Sequence, residues 1–191
     1  MKKLTTALVF AFIASATTSN AQSFEKGTNV VAVGVGLGSS ILNYSGSSQT
    51  PAISISFEHG TFEAGDNGVI SLGGYIGTKS YKYSFKEDSY SYTDKWNYTI
   101  VGVRGAYHYT ALENEKIDVY GGAMLSYNIL KYKYKDNTGN SGNYSSAGSY
   151  GSSFGFTAFI GGRYYFTDNI AAMAELGYGV SYLTLGLAFK F

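Results

Sequence analysis

Five charged side chains are the best candidates for chemistry in this sequence, because each interrupts a stretch in which large apolar residues alternate with small ones. They are Glu58, Arg104, Asp118, Arg163 and Glu175. All five occupy the phase opposite the large apolar residues, so in β-strands they project from the same face of a sheet. Charges enclosed on such a face need one another as counter-ions. We therefore predict a structural ion-pair network in the interior, with a catalytic or gating role as the alternative.

The sequence gives little support for a catalytic, metal-binding or nucleic-acid-binding site. The chain has no cysteine, which excludes disulfides, thiolate metal ligands and cysteine nucleophiles. Its two histidines, His59 and His108, stand in no metal-ligand cluster, and no Gly-x-Ser-x-Gly elbow stands out. The net charge of +1 gives no electrostatic basis for binding nucleic acid. We predict no catalytic residue, no metal site and no bound cofactor.

The composition is unusual for a water-soluble domain. Tyrosine (19), phenylalanine (12) and glycine (25) are abundant, proline occurs once, and charged residues make up 14% of the chain. Soluble proteins carry about a quarter of charged residues. Many aromatic residues and glycines with few charges indicate strands that face something other than water.

The N-terminal residues have the pattern of an export signal. Lys2 and Lys3 precede an apolar stretch over residues 4–16, and Ser19 and Ala21 place small residues where a signal peptidase reads them. We predict a signal peptide over residues 1–21, cleaved to leave one domain over residues 22–191. An N-terminal membrane anchor is the alternative, but the apolar stretch is short for a spanning helix.

Beyond the leader, the hydrophobic pattern has a period of two and not the 3.6 of a helix. Polar segments divide it into pieces of about ten residues, the length with which a tilted strand crosses a bilayer. We predict eight strands, at residues 29–38, 51–58, 69–78, 96–109, 117–130, 154–166, 170–178 and 182–191. Residues 79–95 and 131–151, rich in tyrosine and small polar residues, are predicted to be connections.

These strands predict an all-β fold, an eight-stranded antiparallel up-and-down transmembrane β-barrel. An even number of strands brings both termini to one side, and the shorter turns on that side indicate the periplasm. The large apolar phase is predicted to face lipid, with aromatic girdles such as Tyr107, Tyr109 and Phe189 at one edge. A soluble barrel would reverse the faces, but eight rows of bulky side chains would crowd so narrow a lumen.

The tail of the sequence carries a resemblance. The segment from Gly161 to Asn169 reads GGRYYFTDN, and the chain ends in an apolar alternation through Leu187, Phe189 and Phe191. Over the whole mature chain the sequence resembles the small outer-membrane β-barrel family, the OmpX type and the transmembrane domain of the OmpA type. The resemblance implies a barrel with a plugged polar interior, and functions that vary among adhesion, immune evasion and envelope integrity. It also implies that the terminal alternation is the signal read by the barrel-assembly machinery.

We expect a non-enzymatic bacterial outer-membrane protein with a structural or surface-interaction role in adhesion or envelope integrity. Its tyrosines are candidates for adaptable contacts to an extracellular ligand; the alternative is that they extend the strands and pack on one another. These are Tyr81, Tyr83, Tyr90, Tyr92, Tyr132, Tyr134, Tyr144 and Tyr150.

Two other functions stay open. One is a narrow solute channel, although eight strands enclose a space that side chains fill. The other is an outer-membrane lipid-modifying enzyme, which would need a histidine at the edge opposite the one that His59 and His108 occupy. The expected partners are outer-membrane lipid and the barrel-assembly machinery, and the expected state is a monomer.

Overall fold

The computed structural model describes residues 23–41, 46–112, 114–145 and 151–191, with the backbone alone at 143–145. The predicted signal peptide, residues 1–21, lies outside these ranges and stays a prediction. No helix in the described ranges is long and apolar enough to cross a membrane.

Ten strands make up the regular structure of the described residues. They are β1 (Asn29–Leu37), β2 (Ser48–Gln49), β3 (Ala52–Glu63), β4 (Gly68–Glu87), β5 (Tyr90–Tyr109), β6 (Ile117–Asp136), β7 (Ser141–Ser145), β8 (Ser153–Tyr165), β9 (Ile170–Tyr178) and β10 (Leu183–Lys190). Eight of them pair antiparallel with their neighbours in chain order, while β2 and β7 are short additions that pair with β4 and β6. The predicted eight-stranded antiparallel barrel is confirmed.

The barrel closes where the first strand meets the last. β1 pairs with β10 from Val30 opposite Lys190 to Leu37 opposite Leu183. Asn29 and Phe191 continue the ladder, since each backbone NH donates to the other's carbonyl. Closure matters because an open sheet leaves a row of unpaired backbone groups, which hydrocarbon cannot satisfy.

The two faces of the wall follow the period-two pattern. On β3, Ile53 and Ile55 are 63% and 50% exposed, whereas Ser54, Ser56 and Glu58 are buried. The large apolar side chains thus point outward, which excludes the soluble-barrel alternative. We call the exposed outward ring the apolar belt; it comprises Val33, Val35, Leu37, Ile53, Ile55, Ile70, Leu72, Ile76, Val101, Val103, Leu125, Tyr127, Ile129, Phe154, Phe156, Ile160, Leu176, Leu185 and Leu187.

Two predicted connections are wrong, because strands continue through them. β4 runs to Glu87 and β5 begins at Tyr90, so most of residues 79–95 form a ladder of paired residues joined by a turn at Asp88 and Ser89. β6 likewise runs to Asp136 and pairs with β7 along its edge. Residues 146–150 lie outside the described ranges. Beyond the apolar belt the outer face meets water, so polar residues there are compatible with strand and do not indicate a loop.

Glycines let neighbouring strands approach closely inside the narrow barrel. A Cβ added at Gly73 would lie 1.8 Å from the carbonyl oxygen of Phe57 and 2.9 Å from Cα of Glu58. Both atoms belong to backbone, so they cannot move aside as a flexible side chain would. At the next residue, Gly74, the nearest atom to an added Cβ is the carbonyl oxygen of Gly102 at 3.9 Å.

We predict that Gly73→Ala lowers the free energy of unfolding by about 1–3 kcal/mol, the usual cost of forcing atoms into a packed interior. Gly74→Ala is the matched control and is expected to change it by less than about 0.5 kcal/mol. Urea unfolding of the refolded variants in detergent measures both. Equal midpoints would mean that β3 and β4 are spaced more widely than the structure shows.

Candidate functional site

The barrel interior holds all five charges singled out from the sequence. Glu58 lies on β3, Arg104 on β5, Asp118 on β6, Arg163 on β8 and Glu175 on β9. Each comes from a strand that presents alternate residues inward, so the pleat alone directs these side chains into the lumen. The structure brings the five into one connected cluster, which we call the interior network.

Two arginines connect the acids of the interior network. Arg104 Nη2 lies 2.8 Å from Glu58 Oε1 and 2.7 Å from Glu175 Oε1. Arg163 donates through Nη2 to Glu58 Oε2 at 2.5 Å and through Nη1 to Asp118 Oδ2 at 2.9 Å. Glu58 therefore lies between both arginines, and removing any member takes a counter-ion away from its buried partners.

Aromatic rings fill the space around the guanidinium groups. Arg104 lies 4.2 Å from the ring centroid of Phe159, and Arg163 lies 4.4 Å from that of Tyr120. Tyr120 also donates its hydroxyl to Glu175 at 2.9 Å. These cation–π contacts and hydrogen bonds hold the charges where water is scarce. A cavity of about 30 Å³ beside Arg104 has room for about two water molecules.

A serine, a histidine and an aspartate lie in line within the lumen, an arrangement that sequence reasoning missed. His108 Nδ1 is 2.8 Å from Asp118 Oδ1, and His108 Nε2 is 3.0 Å from Ser71 Oγ. The Asp118 carboxylate and the Ser71 hydroxyl each share a hydrogen bond with one imidazole nitrogen, and the Ser71 hydroxyl also donates to the Ala106 carbonyl at 3.4 Å. The signal was available, because all three residues belong to the inward phase of adjacent strands.

This hydrogen-bonded chain has the order of a hydrolase triad but no access for a substrate. Ser71 and His108 are both fully buried. Phe24, from the segment before β1, stacks on the His108 imidazole with the ring centroids 3.6 Å apart and the planes within 5°. A nucleophile must reach a reacting atom about 3 Å away, so this serine serves packing and hydrogen bonding.

Two further sequence features that occur in enzymes do not have the geometry of a catalytic site here. The Gly-x-Ser-x-Gly spacing does occur once, at residues 151–155, where the sequence analysis overlooked it. Ser153 begins the antiparallel strand β8 and not a strand-to-helix turn, so the motif forms no elbow. His59 lies apart from His108, exposed on the outer face of β3, with its Nδ1 2.9 Å from Asn29 Oδ1. Among the described residues no group of three or more histidine or carboxylate side chains is arranged to hold a metal ion.

Above the apolar belt, β4, β5 and β6 continue as a sheet whose inward face is aromatic. Trp96 on β5 is in register with Tyr81 on β4 and with Tyr132 on β6. The rings of Trp96 and Tyr132 lie 5.7 Å apart, and those of Tyr92 and Tyr134 lie 6.1 Å apart. Of the two readings of the tyrosines, the structure supports strand extension with mutual packing. The side chain of Tyr144 is not described and Tyr150 lies outside the described ranges.

Asp136 ends β6 and organises the turn that follows. Its Oδ1 accepts from the backbone NH groups of Thr138 and Asn140 at 3.0 and 2.9 Å, and from the Thr138 hydroxyl at 2.8 Å. Desolvation acts to raise the pKa of Asp136, but the hydrogen bonds from Thr138 and Asn140 outweigh it and lower the pKa to about 2. The turn is thus built around a carboxylate that stays ionised in ordinary conditions.

No protein-family model and no curated protein sequence matches the chain. Solved structures do match. The N-terminal β-barrel domain of Pseudomonas aeruginosa OprF is 15% identical, covers 88% of this chain and 100% of its own, and has a TM-score of 0.51. Its fold is that of the small outer-membrane barrels. The fold implied by the sequence resemblance is therefore confirmed, and a likeness at this identity concerns the fold alone.

Two other matches are more distant in shape. Yersinia pestis Ail, the attachment invasion locus protein, solved in complex with the heparin analogue sucrose octasulfate, is 13% identical, with 87% and 99% of the two chains covered and a TM-score of 0.49. The translocator domain of the autotransporter NalP from Neisseria meningitidis is 11% identical, with 100% and 95% covered and a TM-score of 0.28.

We predict that Arg104→Ala lowers the free energy of unfolding by about 3–5 kcal/mol, because Glu58 and Glu175 lose a buried counter-ion. Lys190→Ala is the control. Its ammonium contacts the Ser23 carbonyl at 3.4 Å and the Tyr165 ring at 4.7 Å, and such contacts contribute about 1 kcal/mol or less. Urea unfolding compares the two. Equal midpoints would show that Arg104 does not lie in a dry lumen.

We predict that the turn after β6 loosens in acid. A folded pKa near 2, against about 3.9 in an unfolded chain, means that the stabilisation is complete above about pH 4 and is lost as the pH falls through 2. Hydrogen exchange at the amides of Thr138 and Asn140 measures it. Asp136→Asn should expose both amides at neutral pH, whereas the control Asp88→Asn should not. Unchanged protection in Asp136→Asn would contradict the prediction.

Proposed function

We propose that this protein is a non-enzymatic β-barrel of the bacterial outer membrane, which holds a rigid sheet above the outer leaflet in a structural or surface-interaction role. The observation that carries the proposal is the pairing of an apolar belt outside a closed wall with ion-paired charges inside it. An exposed apolar ring of this size is stable against hydrocarbon and not in water.

The lengths of the strand extensions support the proposed orientation. Beyond the apolar belt, β4, β5 and β6 extend toward the turn at Asp88 and Ser89. At the other end the connections are short, as in the turn from Ala64, whose NH donates to the Gly68 carbonyl. Outer-membrane barrels have short periplasmic turns and longer extracellular segments. Both termini are therefore proposed to be periplasmic, after export through the cleaved signal peptide.

The interior supports neither of the competing functions. Arginines and aromatic rings occupy the lumen, and the cavity beside Arg104 measures only about 30 Å³, which favours a plugged barrel over a solute channel. The buried Ser71 and the cover formed by Phe24 favour a non-enzymatic protein over a lipid-modifying enzyme. We propose a monomer that binds outer-membrane lipid along its belt, with the barrel-assembly machinery as its partner during insertion.

We predict that the mature protein fractionates with the outer membrane and migrates differently on gels when boiled and unboiled, because detergent alone does not open eight fully paired strands. Recovery from the soluble periplasm would refute the membrane assignment.

The surface role is tested separately by deleting residues 136–148, which removes β7 and the Asp136 turn but none of the apolar belt. The variant should still fractionate with the outer membrane, while binding to host matrix proteins and surface glycans should fall. Unchanged adherence would leave only the structural role.

We predict that Phe191→Ala lowers the amount of protein in the outer membrane but changes the unfolding midpoint in detergent little. The resemblance of Leu187, Phe189 and Phe191 to the assembly signal motivates this, and the backbone pairing of Phe191 with Asn29 survives the substitution. Phe166→Ala is the control, an exposed aromatic at the same end but away from the terminus. Normal levels in cells with a large loss of stability in vitro would make Phe191 a packing residue.

A further inference from the structure

The outer face of the extended sheet carries a concentration of lysines. Lys82 on β4, Lys95 on β5 and Lys133 on β6 lie directly opposite one another in a single row across three strands. Three further lysines point the same way on the same strands. These are Lys86, Lys131 and Lys135, and all six side chains are exposed. We call this set the lysine face.

The lysine face has no internal counter-charge. Within the described ranges, none of its six lysines forms an ion pair with a carboxylate. The nearby carboxylates belong to the opposite face, where Asp94 accepts from the Tyr132 hydroxyl and Asp136 accepts within its own turn. Like charges directly opposite on adjacent strands destabilise a sheet. A row of three lysines is therefore an arrangement that an external anion would stabilise.

The lysine face lies on the same outer surface as the apolar belt, farther along the strands. Lys82 follows Ile76 by six residues on the same face of β4, which is about 20 Å along the strand and less in height because the strands of such barrels tilt by about 40°. The row between carries Ser80 and Asn97, whose side chains hydrogen-bond each other at 2.9 Å. An apolar belt followed by neutral polar residues and then by cations matches the order of layers from the hydrocarbon outward to charged headgroups.

The opposite end of the barrel has a different charge. Its described turns carry exposed carboxylates at Glu63, Asp66, Glu115 and Asp168, with lysines at Lys26 and Lys116. The excess of positive charge is thus confined to one end of the barrel, on the face that continues its lipid-facing surface. A site for a soluble polyanion is expected to have cations at the hairpin tip, which is the part farthest from the membrane. The tip carries the carboxylates Glu87 and Asp88 instead.

We propose that the lysine face binds the phosphate groups of anionic lipid headgroups in the outer leaflet, as a fixed electrostatic contact between the protein and the lipids around it. This rests on the proposed function for the membrane and for the side on which the sheet extends. The contact is non-covalent, with each ammonium group near a phosphate. Serine, threonine and asparagine between the lysines suit the sugar hydroxyls of a phosphorylated glycolipid.

The test uses purified full-length mature protein in phosphocholine nanodiscs, titrated with bisphosphorylated lipid A and, in parallel, with its dephosphorylated form. The variant Lys95→Gln with Lys133→Gln removes two adjacent charges. The control Lys26→Gln with Lys116→Gln removes two exposed charges from the other end. Native mass spectrometry counts bound lipid, and the boiled and unboiled gel positions verify that each variant is folded.

We expect the wild type to retain the phosphorylated lipid and to lose it as salt is raised. Each lysine near an anionic surface contributes about a fivefold factor in affinity, so the lysine-face variant should bind on the order of 20-fold more weakly. The control should match the wild type, and Lys95→Arg with Lys133→Arg should retain binding. In the absence of anionic lipid the lysine-face variant should unfold no earlier than the wild type, since it relieves repulsion.

Three results would overturn the proposal. These are equal lipid binding by the lysine-face variant and the wild type, equal retention of phosphorylated and dephosphorylated lipid, and selective binding of a soluble sulfated polysaccharide in place of lipid. Recovery of the protein outside the outer membrane would refute the proposed function instead. Correct fractionation together with unchanged lipid binding would refute only the role of the lysine face.

Discussion

Closure of the sheet is the constraint on which the other features depend. Once β1 pairs with β10, every barrel strand has two neighbours, and the pleat assigns each residue either to the outer wall or to the lumen. A one-residue slip would exchange the two sets along a whole strand, placing Gly186, Ala188 and Lys190 outward in place of Leu185, Leu187 and Phe189. The apolar belt and the interior network therefore fix the same register from opposite sides of the wall.

The narrow lumen decides what the interior charges can do. Eight strands enclose a space that side chains fill, so Arg104 and Arg163 reach acids across the barrel and not only on neighbouring strands. Glu58 forms an ion pair with Arg104 and accepts a hydrogen bond from Arg163, so a single carboxylate connects β3 with β5 and β8. Glycines such as Gly73 are the counterpart of these large side chains, because they leave room for the backbone of β3 beside Glu58.

The sequence predicted the membrane-depth part of the barrel better than the part above it, for a physical reason. At membrane depth the strands separate lipid from a polar lumen, so apolar and polar residues alternate strongly. Ile53 and Ile55 mark the outward face, and Glu58 marks the inward face. Above the apolar belt the outer face meets water and carries polar residues such as Lys82 and Lys95. The period of two persists only in the inward aromatic residues, such as Tyr81 and Trp96, and is therefore hard to recognise. The members of the interior network could be named from phase alone. The inward phase of Ser71, His108 and Asp118 can be read in the same way. Which of them hydrogen-bond to one another cannot, since that depends on strand register and on the stacking of Phe24 on His108.

The aromatic and lysine faces of the extended sheet depend on each other. A short unsupported hairpin is marginally stable in water, and three lysines in register would weaken it further. Packing of Tyr81, Trp96 and Tyr132 on the inward face offsets that repulsion, so the sheet can present cations that a less supported hairpin could not hold in line. The aromatic residues are then best understood as the support of a charged surface. On this view the identity of any ligand is to be sought in the chemistry of the lysines and not in that of the tyrosines.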